Sequence, residues 1–206
     1  LDTDDSLPWM PPTEPSRLVF RYLPSGSQLI LSARPADFMK SKDGQLVLKA
    51  GGEQLKEMIL LLESLVQCSL SDIETLQVSW QADENGLPLV AIWAHRYEPG
   101  GQEGARAGAT NVAAPAGNSG GWLRWYPNGE NGNDVVVAVP QLMDALMSTT
   151  AEISELPRSM RPLAPVLDGN RQFTLLGSPH FLVHDGRVLL PVTTLPLLDP
   201  IENILG

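Results

Sequence analysis

The sequence predicts an α+β fold. Its plan is two related β-β-α-(α)-β-β units with mainly antiparallel sheet, a plan that one continuous sheet with its helices on one face would satisfy. Three observations carry this. Residues 73–81 and 87–97 alternate apolar and polar around Asp83-Glu84-Asn85-Gly86, the pattern of a half-buried hairpin whose Asn-Gly supplies the backbone angles of a tight turn. In residues 53–67, Leu55, Met58, Ile59, Leu62, Leu65 and Val66 recur at spacings of three and four, which marks an amphipathic helix that must pack on a sheet. The third is an internal echo: Phe20-Arg21-Tyr22-Leu23-Pro24 returns as Leu123-Arg124-Trp125-Tyr126-Pro127, 127 − 24 = 103 residues later.

Taken in order, residues 1–16 form an acidic, proline-rich arm. Pro8, Pro11, Pro12 and Pro15 remove amide donors and keep their neighbours out of helix, and Trp9 with Met10 can anchor the arm. A first unit follows at residues 17–98. Residues 17–23 read as a strand, Pro24-Ser25-Gly26 as a turn, and residues 28–33 as a nearly all-apolar, central strand. Pro35 suits the first turn of a short helix, where its missing amide costs nothing. Lys42-Asp43-Gly44 ends that helix, residues 45–50 fit either a short strand or a helix lead-in, and Gly51-Gly52 interrupts them.

Residues 99–121 are glycine, alanine and small polar residues, a flexible loop or linker with nothing large to bury. They mark a boundary between halves, or an excursion within one long hairpin. The second unit, residues 122–195, repeats the grammar: strand 122–126, buried strand 135–139, helix 140–150 and strand 171–177. A hairpin closes it, with residues 181–183 and 187–193 flanking His184-Asp185-Gly186. Pro157, Pro162 and Pro165 leave room for no more than a turn or two of helix between residues 151 and 167. Residues 196–206 are a tail. The leading prolines of the two short helices, Pro35 and Pro140, are 140 − 35 = 105 residues apart, close to the spacing of the turn prolines.

Leu23-Pro24, the buried strand ending in Ala33-Arg34-Pro35, and Leu70-Ser71-Asp72-Ile73-Glu74-Thr75 before a strand resemble repeats of an uncharacterised extracytoplasmic bacterial family of planctomycete type. The resemblance is best over residues 18–97. It implies a fold and an extracytoplasmic location, periplasmic or secreted, and it carries over no catalytic residue.

Composition narrows the function classes. The chain has 206 residues, 43% of them hydrophobic, enough for a substantial core. Its apolar runs, Met58-Ile59-Leu60-Leu61-Leu62 among them, are too short to cross a bilayer, so no membrane span is expected, while a tether through the N-terminus is compatible with the chain. A net charge of -10 repels nucleic acid. One cysteine, Cys68, excludes an internal disulfide and a multi-thiolate metal cage, and its apolar neighbours make it a small buried hydrophobe.

Candidate chemistry is sparse. Gly117-Asn118-Ser119-Gly120-Gly121 resembles the nucleophile loop of chymotrypsin-like serine proteases, yet the only upstream histidine, His95, lies 119 − 95 = 24 residues before Ser119, with no barrel between. His180 and His184 share a face if their segment is a strand, and with Asp185 they make part of a metal site that needs His95 or Asp168 to complete it. The alternative to metal binding is a solvated turn. No nucleotide or calcium fingerprint is complete, and no cofactor is expected. Trp80, Trp93, Trp122 and Trp125 fall on predicted strands, where they either line a ligand groove or fill the sheet faces. Without convergent chemical groups, the sequence points to a non-enzymatic extracytoplasmic module that binds a protein partner or itself. The alternative is a hydrolase or metal-dependent enzyme with a site at the seam of the two units.

Overall fold

β2 (Ile73–Ala82) and β3 (Pro88–Arg96) form the hairpin at the middle of one sheet, which has seven strands among the described residues. The computed structural model describes residues 18–85, 88–97, 110–112, 121–127, 132–148 and 156–178. With β1 (Leu29–Ala33), β4 (Thr110–Val112), β5 (Trp122–Trp125), β6 (Asp134–Ala138) and β7 (Phe173–Gly177), the sheet order is β4-β5-β6-β3-β2-β1-β7. Every pairing is antiparallel. The α+β class and the single continuous sheet are as the sequence predicts.

Alternation along the strands divides the sheet into two faces. On one, Leu31, Val78, Ile92 and Val137 lie side by side across β1, β2, β3 and β6. This face packs under the C-terminal end of α2 (Lys42–Val66), where Leu65 and Val66 are buried against Ile73, Leu76 and Val135. On the other, Ala91, Trp93, Val136 and Ala138 receive Leu142, Met143 and Leu146 of α3 (Pro140–Ser148). Further along that second face, Ile30 and Leu176 pack with Phe20, Leu156 and Met160. Helices therefore cover both faces, in place of the one-sided arrangement expected. The reason is visible in β3 and β6, which are apolar at successive positions and so need cover above and below.

Three local expectations are corrected. Residues 18–23 are not a strand: the segment crosses the α3 face with Tyr22 at φ 48, and its backbone is held by the side chain of Gln77. Gln77 Nε2 donates to the Val19 carbonyl at 2.6 Å, and Arg21 N–H donates to Gln77 Oε1 at 3.3 Å. The helix expected at residues 53–67 begins eleven residues earlier, at Lys42 (53 − 42 = 11), just after α1 (Pro35–Lys40). Ser41 caps it, its Oγ accepting from Gly44 N–H at 2.9 Å, and Gly44 lies so close to the Phe38 carbonyl that a Cβ would collide with it. Gly52, at φ 59 and ψ -149, is non-helical and kinks α2 into two helical stretches, where the sequence places an interruption at Gly51-Gly52. Finally, Thr110–Val112, inside the stretch read as a linker, form β4 and pair with β5.

The sheet order does not repeat the expected duplication. β2, which follows α1 and α2, returns to pair with β1, whereas β7, which follows α3, pairs with β1 and lies four places from β6. The arm 1–16 and the hairpin expected at 181–193 lie outside the described residues.

Candidate functional site

Two features stand out from the core: a polar cluster on the α3 face, and the long exposed part of α2. The cluster begins with β3, where Trp93 and His95 are two residues apart and so share a face. Opposite His95 in the register is Asp134, the first residue of β6. Its buried carboxylate oxygen Oδ1 accepts from Trp93 Nε1–H at 2.9 Å and lies 2.9 Å from His95 Nδ1. Arg21 approaches the other oxygen at 4.0 Å. An irregularity in the β2–β3 register at residues 73–75 displaces Glu74, whose Oε2 stands 3.9 Å from His95 Nε2.

Chemically, this is a histidine oriented by a buried carboxylate, with its second nitrogen toward a half-exposed carboxylate. Such an imidazole can hold or pass a proton. Among the described residues, no serine or threonine hydroxyl and no thiol is hydrogen-bonded to Nε2, and no group of three or more His, Cys, Asp or Glu is placed to hold a metal. The thiol of Cys68 belongs to the opposite face, and burial, the largest effect, pushes it up to about 11. At neutral pH it is a protonated, poor nucleophile.

Of the residues singled out in the sequence, His95 is in the cluster, while His180, His184, Asp185 and Ser119 lie outside the described residues. Asp168 is buried within its own turn, accepting from Asn170 N–H at 2.9 Å beside Arg171. The four tryptophans divide between faces. Trp93 and Trp125 flank Val136 on the α3 side, with Tyr22 packed edge-on against Trp125 at 5.5 Å. Trp80 and Trp122 lie on the α2 side. They do not form one groove. Asp134, Glu74 and Arg21, which complete the cluster, were missed, because nothing local in the sequence marks a carboxylate that a strand 41 residues away will cover.

The second feature is α2. Of its 25 residues, only Gly44, Leu65 and Val66 are buried. Leu46 is 65% exposed, Met58 55% and Leu60 64%, and Val47 and Leu61 are exposed as well. A sequence signal for this existed: five consecutive apolar residues, 58–62, wrap around a helix, so no single packed face can cover them all. A further exposed pair, Phe173 and Leu175, projects from β7 on the α2 side, with Phe173 edge-on to Phe38.

No family model, no curated protein and no solved structure matches the chain. None of the helices in the described residues is long and apolar enough to cross a membrane.

Proposed function

We propose that the chain is a non-enzymatic protein-interaction module that works outside the cytoplasm, and that α2 is its binding surface. The observation that carries this is the exposure of Leu46, Val47, Met58, Leu60 and Leu61 along one helix. Scattered apolar residues are ordinary on a surface; a run of them on an element with three buried residues is the composition of an interface. The extracytoplasmic placement rests on the acidic, proline-rich residues 1–16 and on the resemblance over residues 18–97.

Cross-linking and capture from an envelope extract test the reading, comparing the wild-type chain with Met58→Glu/Leu60→Glu. The wild type should retain a defined partner, its own copies included, that the variant loses. Identical capture by both proteins would sink the proposal.

One observation favours the alternative, a hydrolase: the Asp134–His95 pair, which fixes the imidazole as a catalytic base would be fixed. A hydrolytic activity lost in His95→Gln with the fold unchanged would establish it; equal activity in both proteins would remove it.

A further inference from the structure

We propose that His95 is an acid-operated clamp: a proton on its imidazole draws the Glu74 carboxylate onto Nε2 and ties the irregular start of β2 to β6 through one ring that donates on both sides. The inference is independent of the role given to α2, and it requires no catalysis.

The asymmetry of two contacts carries it. His95 Nδ1 lies 2.9 Å from Asp134 Oδ1, whereas His95 Nε2 lies 3.9 Å from Glu74 Oε2. An ionised carboxylate oxygen only accepts, so the short contact puts the proton of a neutral imidazole on Nδ1. Nε2 then turns a lone pair towards Glu74, and two acceptors keep apart. A proton on Nε2 reverses the sign of that contact. With both nitrogens donating, the ring bridges two carboxylates, and a closure of about 1 Å brings Glu74 to hydrogen-bonding distance. Glu74 is free to move in, because its half-exposed side chain makes no hydrogen bond and no other ion pair among the described residues.

Charge points the same way. The carboxylates that face the ring are Asp134 from β6 and Glu74 from β2, and the cation is Arg21, 4.0 Å from the second oxygen of Asp134. On β3 itself the neighbour is the uncharged indole of Trp93, whose N–H is given to Asp134, and α3 meets that face with Leu142, Met143 and Leu146. Two carboxylates against one guanidinium leave the cluster one negative charge in excess, and a single proton on His95 cancels it. The ring is only part-buried, so solvent can deliver that proton.

Residue 74 sits where the β2–β3 register slips, directly after the turn Leu70–Asp72 that follows α2. The clamp therefore acts at the joint between α2 and the sheet. It is closed when the imidazole is charged and open when it is neutral, so its stabilisation is present at the acid end and is lost as pH rises.

Urea unfolding of wild type and Glu74→Gln at about pH 5.5 and about pH 8 tests this, because ordinary carboxylates are charged at both values while an ordinary imidazole changes charge between them. At the lower pH, Glu74→Gln should raise the unfolding constant about threefold, the effect of losing a part-exposed ion pair, and at the higher pH it should leave the constant unchanged. In a His95→Gln background the same change should have equal effects at both values. Ring nitrogen chemical shifts give a readout that unfolding does not: at the higher pH the imidazole should be the Nδ1–H tautomer, in wild type and in Glu74→Gln alike. Should His95→Gln fail to fold, the wild-type and Glu74→Gln comparison and the ring shifts still decide the matter. An equal effect of Glu74→Gln at the two pH values overturns the clamp. So does a neutral ring protonated on Nε2, or a pH-dependent effect of Glu74→Gln that survives without His95.

Discussion

Arg124 on β5 closes the C-terminal end of α2, its Nε–H donating to the Leu65 carbonyl at 2.7 Å. A second donor, Nη2, reaches the Ser64 carbonyl at 2.8 Å, so one guanidinium satisfies two of the carbonyls a helix end leaves open. The side chain is buried, and burial, the largest effect, holds its basicity below the ordinary arginine value. Lysine offers no planar fork to reach both oxygens. Arg124→Lys should cost about 1–2 kcal/mol and Arg124→Met about 3 kcal/mol in urea unfolding. An unchanged midpoint for Arg124→Met would show that the contact does not hold α2 to the sheet.

Gly52→Ala isolates backbone strain from packing. The position has a positive φ of 59 and open space around it, so an added methyl meets nothing and the cost is conformational. The expected loss is about 1–2 kcal/mol. A gain in both stability and helix content would mean that α2 runs straight through residue 52.

Asp134→Ala removes the acceptor shared by Trp93 and His95 and leaves the indole N–H buried without its partner. Stability should fall by about 2–3 kcal/mol, and Asp134→Asn, which retains one acceptor oxygen, should lose less. Equal losses in the two variants would indicate that packing, not hydrogen bonding, matters there.

Gln77→Leu keeps the volume roughly constant and withdraws both bonds to residues 19 and 21. Amide exchange should quicken at Arg21 while the β2–β3 amides stay protected, because the strap has no strand ladder to fall back on. Uniform acceleration across the sheet would contradict this local role.

The Cys68 thiol supplies a pH test. Its folded value is about 11 against an ordinary 9.0, with burial the first cause. Below both values the folded protein should carry roughly a hundredfold less thiolate than the unfolded chain, so iodoacetamide alkylation at pH 8 should be slower by about that factor. The sign of the stability effect follows. As pH rises from near 9 towards 11, the unfolded thiol releases a proton that the folded one keeps, and stability declines across that window. Rapid alkylation of the folded protein at pH 8 would refute the burial.

What the sequence determined by itself was local. The period-two segments gave β2 and β3, Asp83-Glu84-Asn85 gave the turn that follows β2, and Pro35 and Pro140 gave the starts of α1 and α3, because each is decided by residues within a few positions of one another. The apparent strand at 17–23 misled for the complementary reason: its alternation is real, but its hydrogen-bond partner is the side chain of Gln77, 58 positions from Val19. Likewise, the three- and four-residue spacing identified the stripe of α2 but not how much of it the sheet would reach. Only the tertiary structure decided that Leu65 and Val66 are covered while Met58 and Leu60 are not, that Asp134 meets Trp93 and His95, and that the tryptophans divide between two faces. Periodicity records which side chains share a side of an element. Which side is covered, and how far along, depends on strands brought together from distant parts of the chain, and no local pattern encodes it.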